Sequence, residues 1–390
     1  MGKANIVAHL VQHLFHHPGR TRSEIANALE VRKNTVGEIC RKLVSAGVLH
    51  EEQSNRKRNS RLSLTPSAFL ALGVEHRVDS LRIVVMDASR GVVSQHESAL
   101  GEIFQEERVK TIIGEMRRVV AALHAQQDRI AGIGFSDFIP HNIGTGLKTK
   151  SVWMPGWGDI NIKALLENGL GLSVTIMRCT DAHAVAEHAF GACQEPAPFC
   201  VLQLDQGIGL SVFKDGVFLK GSTDIFGEMG HTVYREDGEI CKCGNRGCLE
   251  TVAGTEAIVR KVSENIAKGV PVKIREGRSS VTLDDIILSA QEGNKLARLV
   301  LTEATKAIGD TAAVIVNMLG IVRIILYGDL AKAEEILLQQ VTNAIRKHCI
   351  YPLNLDTRVS ISRLDRFASA IGAAYKVLSE FDLEHLYFDK

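Results

Sequence analysis

The sequence has no apolar run that approaches the ~20 residues needed to cross a bilayer, although 45% of its 390 residues are hydrophobic. Its first twenty residues, MGKANIVAHLVQHLFHHPGR, form an amphipathic pattern broken by histidines and lack the continuous apolar core of a secretory signal. They also miss the myristoylation pattern, because Ile6 stands where Ser or Thr is required. These absences argue against a membrane-spanning, secreted or myristoylated protein and predict a cytoplasmic one without membrane insertion.

The chain also has almost no net charge, but its charges are unevenly distributed. The formal net charge is +1, from 46 Lys/Arg and 45 Asp/Glu. Residues 1–64 contain eleven of the Lys/Arg and only five of the Asp/Glu. A basic head on a slightly acidic body indicates that only the head approaches a polyanion such as DNA.

The first 66 residues have the pattern of a winged helix-turn-helix. Apolar residues at helical spacing predict a helix over Ile6–Leu14, which His17–Gly19 closes. Thr21 or Ser23 is suited to cap a short second helix, and a third is expected over Arg32–Ala46. Two short strands around a basic loop follow and are expected to form the wing.

The predicted DNA contacts lie at the start of the third helix, on its polar side and in the wing. A recognition helix reads bases from its N-terminal end, and a basic wing contacts phosphates or the minor groove. The predicted residues are Arg32, Lys33, Asn34, Thr35, Arg41, Arg56, Lys57, Arg58 and Arg61. The alternative is a three-helix module that docks another protein and carries a solvated charge run. We favour DNA, because Lys and Arg cluster at both positions that would meet the duplex.

A metal site is predicted in the stretch from Gly227 to Thr251. It contains three of the eight cysteines, Cys241, Cys243 and Cys248, with His231 upstream of them. Three thiolates and an imidazole form the tetrahedral set that Zn²⁺ prefers in structural sites. Disulfides are the alternative, but an odd number of closely spaced cysteines in a chain without a secretory signal favours zinc.

Residues 67–390 alternate strands and helices in two successive halves. A strand pair over 73–87 opens the first half, and strands over 199–204 and 209–219, around the turn Lys214–Gly216, open the second. Each half then continues with helices and buried strands. This pattern predicts a duplicated α/β domain with lobes over about 67–190 and 191–368, and a last helix over 368–381 that packs back.

The metal stretch carries a family resemblance. The segments GEMGH at 227–231 and CKCGNRGCLE at 241–250 resemble the ROK family of repressors, open reading frames and sugar kinases. Shorter matches, such as Thr180–Ala182 and Ile371–Ala374, extend over most of the body. The resemblance implies a two-lobed actin-like, ribonuclease-H-like ATPase fold. The head in front of such a body resembles the transcription-factor branch of the family, because the kinases usually lack it.

The resemblance also implies an effector site. The family aspartate that matches Asp181 is the kinase's general base, and the residues that match Glu228, His231 and Glu250 bind sugar hydroxyls. His231 would also be a metal ligand, which implies a structural zinc beside the pocket. We predict no catalytic residue, and Asp181 is the position of a vestigial base.

The phosphate-binding elements of the family kinases are altered in this sequence. The first hairpin loop reads Glu75–Asp79 where a glycine-containing motif is usual, and the second reads Asp205–Gly209. The late glycine cluster is reduced to Gly328-Asp329, and on the sugar side Thr180 replaces the usual asparagine. Because glycine permits close backbone approach to phosphate and a carboxylate repels it, kinase activity is not expected.

The sequence therefore predicts a DNA-binding transcriptional regulator. It would repress carbohydrate uptake or catabolic genes and be released by a small molecule, a sugar or a sugar derivative. Two-fold symmetric operators need two heads, so a homodimer or a dimer of dimers is expected. Two alternatives stay open, a zinc-containing sugar kinase and a regulator whose body senses a partner protein.

Overall fold

A computed structural model of the chain describes residues 3–52, 60–101, 105–139, 160–195, 197–221, 225–274 and 280–381. The helices are α1 Lys3–His16, α2 Arg22–Ala28, α3 Lys33–Ser45, α4 Gln105–Ala122, α5 Ile162–Leu170, α6 Cys179–Ala189, α7 Glu250–Ala253, α8 Thr255–Ala267, α9 Leu283–Gln291, α10 Lys295–Leu319, α11 Glu334–His348, α12 Leu353–Asp356 and α13 Ala368–Glu380. The strands are β1 Arg20–Thr21, β2 Leu49–Glu52, β3 Arg61–Leu64, β4 Leu70–His76, β5 Ser80–Asp87, β6 Val92–Ala99, β7 Ile130–Asp137, β8 Val174–Arg178, β9 Phe199–Leu204, β10 Ile208–Lys214, β11 Val217–Phe218, β12 Arg323–Tyr327 and β13 Arg358–Ile361. Within these ranges no helix combines the length and apolarity that crossing a bilayer requires.

The three helices of the head form where the sequence predicts them. Of the two candidate caps for α2, Thr21 is the one used: its hydroxyl accepts from the Glu24 amide, and the Glu24 carboxylate accepts from the Thr21 amide at 2.7 Å. A reciprocal cap of this kind contributes about 1 kcal/mol. Gly47, at φ +74°, ends the turn after α3 and leads into β2.

The head contains a three-stranded antiparallel sheet with the order β1-β3-β2. The two strands of the predicted wing, β2 and β3, pair from Leu49 opposite Leu64 to Glu52 opposite Arg61. The short strand β1 adds a third member that the sequence analysis did not include. Leu62 and Leu64 are buried, so one face of the sheet covers the helices.

The chain divides into two compact units. The first contains the head, β4–β8, α4–α6 and α13, and the second contains β9–β13 and α7–α12. The last helix, α13, packs on β4, β7 and α6 of the first unit.

The two large sheets have the same topology, as the repeated pattern predicts. Their orders are β6-β5-β4-β7-β8 and β11-β10-β9-β12-β13. In each sheet the first three strands are antiparallel, and the last two run parallel to their inner neighbour. The duplicated α/β architecture is therefore present.

Several details differ from the sequence prediction. The turn at Asp215-Gly216 joins β10 to the two-residue strand β11, whereas β9 and β10 are joined at 205–207. A 3-10 turn over Asp329–Ala333, which was not predicted, precedes α11. The four-residue helices α7 and α12 were not predicted, because one turn is too short to show a helical repeat.

Candidate functional site

The start of α3 presents a polar, basic surface. Arg32, Lys33 and Asn34 are exposed and Thr35 is half-buried, while the apolar side of α3 is buried. Arg41 is also exposed, and its Nε donates to the Gly37 carbonyl at 3.3 Å. Of the wing residues, Arg56, Lys57 and Arg58 lie outside the described residues.

Two arginines hold the sheet of the head in place. Arg22 on α2 donates twice to the Glu51 carboxylate of β2, at 2.8 and 2.9 Å. The exposed Arg61 donates to the Gly19 carbonyl at 2.6 Å, so this predicted DNA contact also positions the chain before α2. Sequence reasoning did not identify Arg22, because its partner is 29 residues away. The base of the wing is thereby fixed to the helix that precedes α3.

The predicted metal ligands converge in the second unit. The ligand atoms of His231, Cys241, Cys243 and Cys248 all lie within 4.8 Å of one another. His231 Nδ1 is 3.6 Å from Cys241 Sγ, and Cys243 Sγ is 3.7 Å from Cys248 Sγ. A tetrahedron with metal–sulfur bonds of about 2.3 Å has edges of roughly 3.8 Å, whereas a disulfide brings the sulfurs to about 2.05 Å. The cluster thus has the ligand set and spacing of a tetrahedral metal site, and all eight cysteines are free thiols.

Tight turns bring these ligands together. The Cys241 amide donates to the Asn245 carbonyl at 2.7 Å, which folds Cys241 and Cys243 around one centre. Gly247 has φ +72°, and a Cβ there would lie 1.5 Å from the Arg235 carbonyl oxygen. Only glycine fits such an approach. The residue before Cys248 must therefore be glycine for the backbone to pass this close to Arg235.

Two of the predicted effector residues lie close to the metal ligands. Glu250, the first residue of α7, is buried and accepts from the Ile208 amide at 3.2 Å. Burial raises its pKa to about 7, and the charge of Glu228 adds to the increase. Glu228 precedes the 3-10 turn Met229–His231, and its backbone carbonyl accepts from the His231 amide at 3.0 Å. The second unit therefore brings Glu228, His231 and Glu250 together.

Asp181 belongs to the first unit and has a close partner there. Arg178 donates to both Asp181 oxygens, from Nε at 2.9 Å and from the terminal nitrogen at 2.6 Å. Both oxygens of this carboxylate therefore have a charge-assisted bond to one guanidinium. Arg178 and Asp181 are three residues apart across the junction of β8 and α6, a spacing that was visible in the sequence.

The hairpin loop after β4 is filled by the chain's own side chains. Glu75 is buried and lies 3.7 Å from Arg77 and 3.3 Å from Arg82. Arg82 also donates to the Glu97 carboxylate at 2.9 Å. A buried carboxylate paired with two arginines thus lies near the end of β4, next to the hairpin loop.

A second buried group of residues supports the same loop. His76 Nδ1 is 3.0 Å from Asp137 Oδ1, and Arg108 Nε donates to His76 Nε2 at 2.9 Å. Because the guanidinium has only donors, Nε2 accepts and Nδ1 carries the proton toward Asp137. Arg108 also donates to the carbonyls of Arg77 and Val78, both at 2.6 Å. The loop therefore points carbonyl oxygens inward, toward a buried guanidinium.

Two loops of the second unit, after β9 and after β12, are hydrogen-bonded to each other. Asp205 Oδ1 accepts from the Asp329 amide at 2.6 Å, and Asp205 Oδ2 accepts from Gln203 at 3.0 Å. The amide after Gly328 is thus used by a carboxylate of the chain itself.

Comparisons with known proteins agree with this architecture. The sequence profile of the ROK family matches residues 71–380. The DNA-binding transcriptional dual regulator NagC of Escherichia coli K12 is 24% identical over 364 residues, which cover 90% of this chain and 87% of NagC. The xylose repressor of Caldicellulosiruptor bescii is 22% identical over 380 residues, or 92% of each chain. The crystal structure of a ROK family transcriptional regulator, a homologue of the E. coli Mlc protein, superposes with a TM-score of 0.84 at 24% identity, over 100% of this chain and 99% of its own. The predicted actin-like, ribonuclease-H-like α/β fold behind a helical N-terminal domain is confirmed.

Proposed function

The chain belongs to the ROK family, and from that membership we propose that it is a DNA-binding transcriptional regulator that represses genes of carbohydrate uptake or catabolism. Residues 1–66 would be a winged helix-turn-helix, and residues 67–390 the effector and dimerisation domain, acting in the cytoplasm. The observation that carries the proposal is the exposed basic start of α3, in a head that precedes a ROK body.

In the proposed complex, α3 enters the major groove with its first turn. Arg32, Lys33 and Asn34 would contact base edges and phosphates there, and Arg41 would contact the backbone. The wing, with Arg61 at its base, would follow the adjacent phosphates or the minor groove. The Arg22–Glu51 pair supports this arrangement by fixing the wing to α2.

We propose a second copy of the chain as the partner of an exposed apolar patch in the second unit. The exposed side chains of the patch are Val314, Met318, Ile350, Tyr351 and Leu355. Asn317 joins its two segments, since its side chain donates to the His348 carbonyl at 3.0 Å and accepts from the Ile350 amide at 3.1 Å. Contiguous exposed apolar surface is typical of interaction sites. A symmetric contact would supply the two heads that two half-sites require.

Replacing Lys33 by alanine is expected to weaken operator binding about tenfold. It should also reduce the slope of the logarithm of the binding constant against the logarithm of the salt concentration by about one. The reason is that Lys33 is exposed in the first turn of α3, where a phosphate or base edge would meet it. The measurement is fluorescence anisotropy on duplexes that the wild-type protein selects from a random pool, at several salt concentrations.

The matched control is Lys214→Ala, which removes an exposed lysine from the second unit and should leave binding unchanged. Binding equal to wild type in both Lys33→Ala and Arg41→Ala would show that the head does not read DNA. Sedimentation of the complex should give two chains per duplex, and one chain per duplex would contradict the dimer.

We propose that Glu228, His231 and Glu250 of the second unit bind the effector, and we keep Asp181 of the first unit as a proposed effector residue on its own. Carboxylates and imidazole are acceptors suited to sugar hydroxyls, and Arg178 beside Asp181 supplies donors. The metal in the Cys/His cluster is proposed to be a structural Zn²⁺. Its four protein ligands would leave no open position for catalysis, and it would hold His231 beside Glu228.

We infer that the protein is not a sugar kinase. Phosphoryl transfer needs backbone amides and cations directed at the phosphates. Here Glu75 and the carbonyls around Arg108 occupy the first loop, and Asp205 takes the amide of Asp329. Arg178 also holds both oxygens of Asp181, the position of the kinase base.

A thermal-shift panel of monosaccharides, amino sugars, sugar phosphates and ATP is expected to show stabilisation by a sugar and none by ATP. A ligand that binds only the folded state stabilises that state by about 2.7 kcal/mol at one hundred times its Kd, and this raises the melting temperature. Asp181→Asn should reduce the sugar response. Stabilisation by ATP would support the kinase hypothesis instead. If no ligand in the panel changes the melting temperature and operator binding is intact, the signal would come from a partner protein.

A further inference from the structure

Two passages of the chain between the units lie within the described residues, and each adjoins a helix of the first unit. The chain enters the second unit at Phe190, directly after α6, and returns at Asp365, three residues before α13. Strands β5 and β6 hold the returning segment, because Arg82 donates to the Arg366 carbonyl at 2.8 Å and Glu97 pairs with the Arg366 guanidinium at 2.8 Å. Residues 190 and 365, where the described chain changes unit, are therefore next to α6 and close to α13.

These two helices pack against each other without intervening side chains. A Cβ on Gly372 of α13 would lie 1.8 Å from the Ala182 carbonyl oxygen of α6. Ala182 follows Asp181, whose carboxylate is held by Arg178. Since close-packed backbones transmit displacement, a change at Asp181 would be felt at Gly372.

The head rests on α13 one turn further along. The Phe15 ring of α1 lies 5.1 Å from the Tyr375 ring, and both residues are buried. At the solvent edge of this contact, His16 Nδ1 lies 3.1 Å from the Tyr375 hydroxyl. These are the residues through which α1 of the head meets α13 of the body.

Positive charge surrounds this hydrogen bond. Burial raises the pKa of Tyr375, and the nearby guanidinium of Arg90, in the turn between β5 and β6, opposes that increase. Burial lowers the pKa of His16, and so do the nearby charges of His17, Arg90, His188 and His13. His188, whose charge is one of these, lies near the end of α6.

We propose that Tyr375, with Phe15 and His16, is the joint through which the effector domain sets the state of the DNA-binding head. The α6–α13 pair would carry the signal, from Asp181 and from the two passages of the chain to Tyr375. This inference rests on the proposed function, because it assigns the regulatory route between that function's two domains.

The first test is amide hydrogen exchange of α1–α3 in the full chain. Tyr375→Phe keeps the ring contact and removes the hydroxyl, so head amides should exchange about fivefold faster, the effect of one lost hydrogen bond. Tyr234→Phe is the matched control, since it also removes a hydroxyl, one that donates to Asp310 at 2.9 Å in the second unit, and head exchange should stay at the wild-type rate. His16→Ala should act like Tyr375→Phe, while His16→Asn, which retains an acceptor near the Nδ1 position, should stay near wild type. Head exchange equal to wild type in both Tyr375→Phe and His16→Ala would overturn the joint.

The second test asks whether a change at Asp181 reaches the head. Asp181→Asn weakens the Arg178 pair and should alter head exchange in the wild-type background by about two- to fivefold, but not in Tyr375→Phe. Equal effects of Asp181→Asn in both backgrounds would refute transmission through Tyr375. Exchange needs no DNA, so coupling without operator binding would leave the joint standing and reject the proposed function. If the protein binds the operator but the two substitutions have additive effects on exchange, the proposed function stands and the joint is rejected.

Discussion

Replacing Cys243 by serine is expected to lower the free energy of unfolding by about 4 kcal/mol and the melting temperature by about 10 °C. Cys243 is an exposed thiol. An exposed cysteine without a role costs little to replace, typically about 0.5 kcal/mol or less. As the fourth ligand of a structural metal, however, it would hold together the turns from His231 to Cys248, whose conformation depends on that centre.

The control is Cys349→Ser, which changes a buried thiol of the same unit outside the cluster. Cys349 donates to the Ala313 carbonyl at 3.6 Å, and a serine hydroxyl can keep that bond. Burial alone predicts that Cys349→Ser is the more damaging change, whereas the metal predicts the opposite order. Thermal unfolding and elemental analysis decide between them. One zinc per chain with unchanged stability in Cys243→Ser would remove Cys243 from the site.

The metal cluster could be predicted from the sequence because its ligands are close together in the chain. Cys241, Cys243 and Cys248 fall within eight residues, and the glycines among them indicate tight turns. Their convergence depends on local backbone geometry, which composition and spacing reveal. The paired α/β halves were predictable for a similar reason, since each strand and helix shows its own period.

The contacts that explain the altered loops could not be predicted in this way. The sequence shows that Glu75–Asp79 departs from a phosphate-binding motif, but not what fills the loop. Arg108 is 32 residues from His76, and Asp137 is 61 residues from it. These residues meet because β7 pairs with β4 in parallel and Arg108 on α4 reaches the loop after β4, and neither the pairing nor the approach is encoded at a fixed spacing.

The joint at Tyr375 was hidden for the same reason. Its two hydrogen-bonding residues are 359 positions apart. The histidines of α1 were visible in the sequence, but the sequence indicates only that they lie on a helix. Their role depends on α13 returning to the first unit after the chain has completed the second.

Replacing Arg108 by methionine is expected to lower the free energy of unfolding by about 3–5 kcal/mol. The side chain is 1% exposed, and its guanidinium donates to His76 Nε2 and to the carbonyls of Arg77 and Val78. Methionine fills much of the volume but donates nothing. It would leave buried acceptors without a donor, and each of these costs about 1–3 kcal/mol.

The same substitution on the same helix provides the control. Arg118 of α4 has a 68% exposed side chain and pairs with Glu115, so Arg118→Met should cost about 0.5 kcal/mol or less. The stability of Arg108→Lys should lie between those of Arg108→Met and Arg118→Met. An ammonium keeps the charge but cannot reach several acceptors at once as the planar guanidinium does. Urea unfolding of the three variants gives the order directly, and equal stabilities for Arg108→Met and Arg118→Met would contradict the buried network.

Arg108→Met also distinguishes a filled loop from a dormant phosphate site. If Arg108 merely occupied a pocket otherwise built for nucleotide, its removal would open that pocket, and calorimetry would detect ATP. The inward carbonyls of Arg77 and Val78 and the buried Glu75 remain in the variant, and all of them repel phosphate. We therefore expect a destabilised protein that still does not bind ATP, since the groups that the loop directs at Arg108 are acceptors, whereas a phosphate is held by donors.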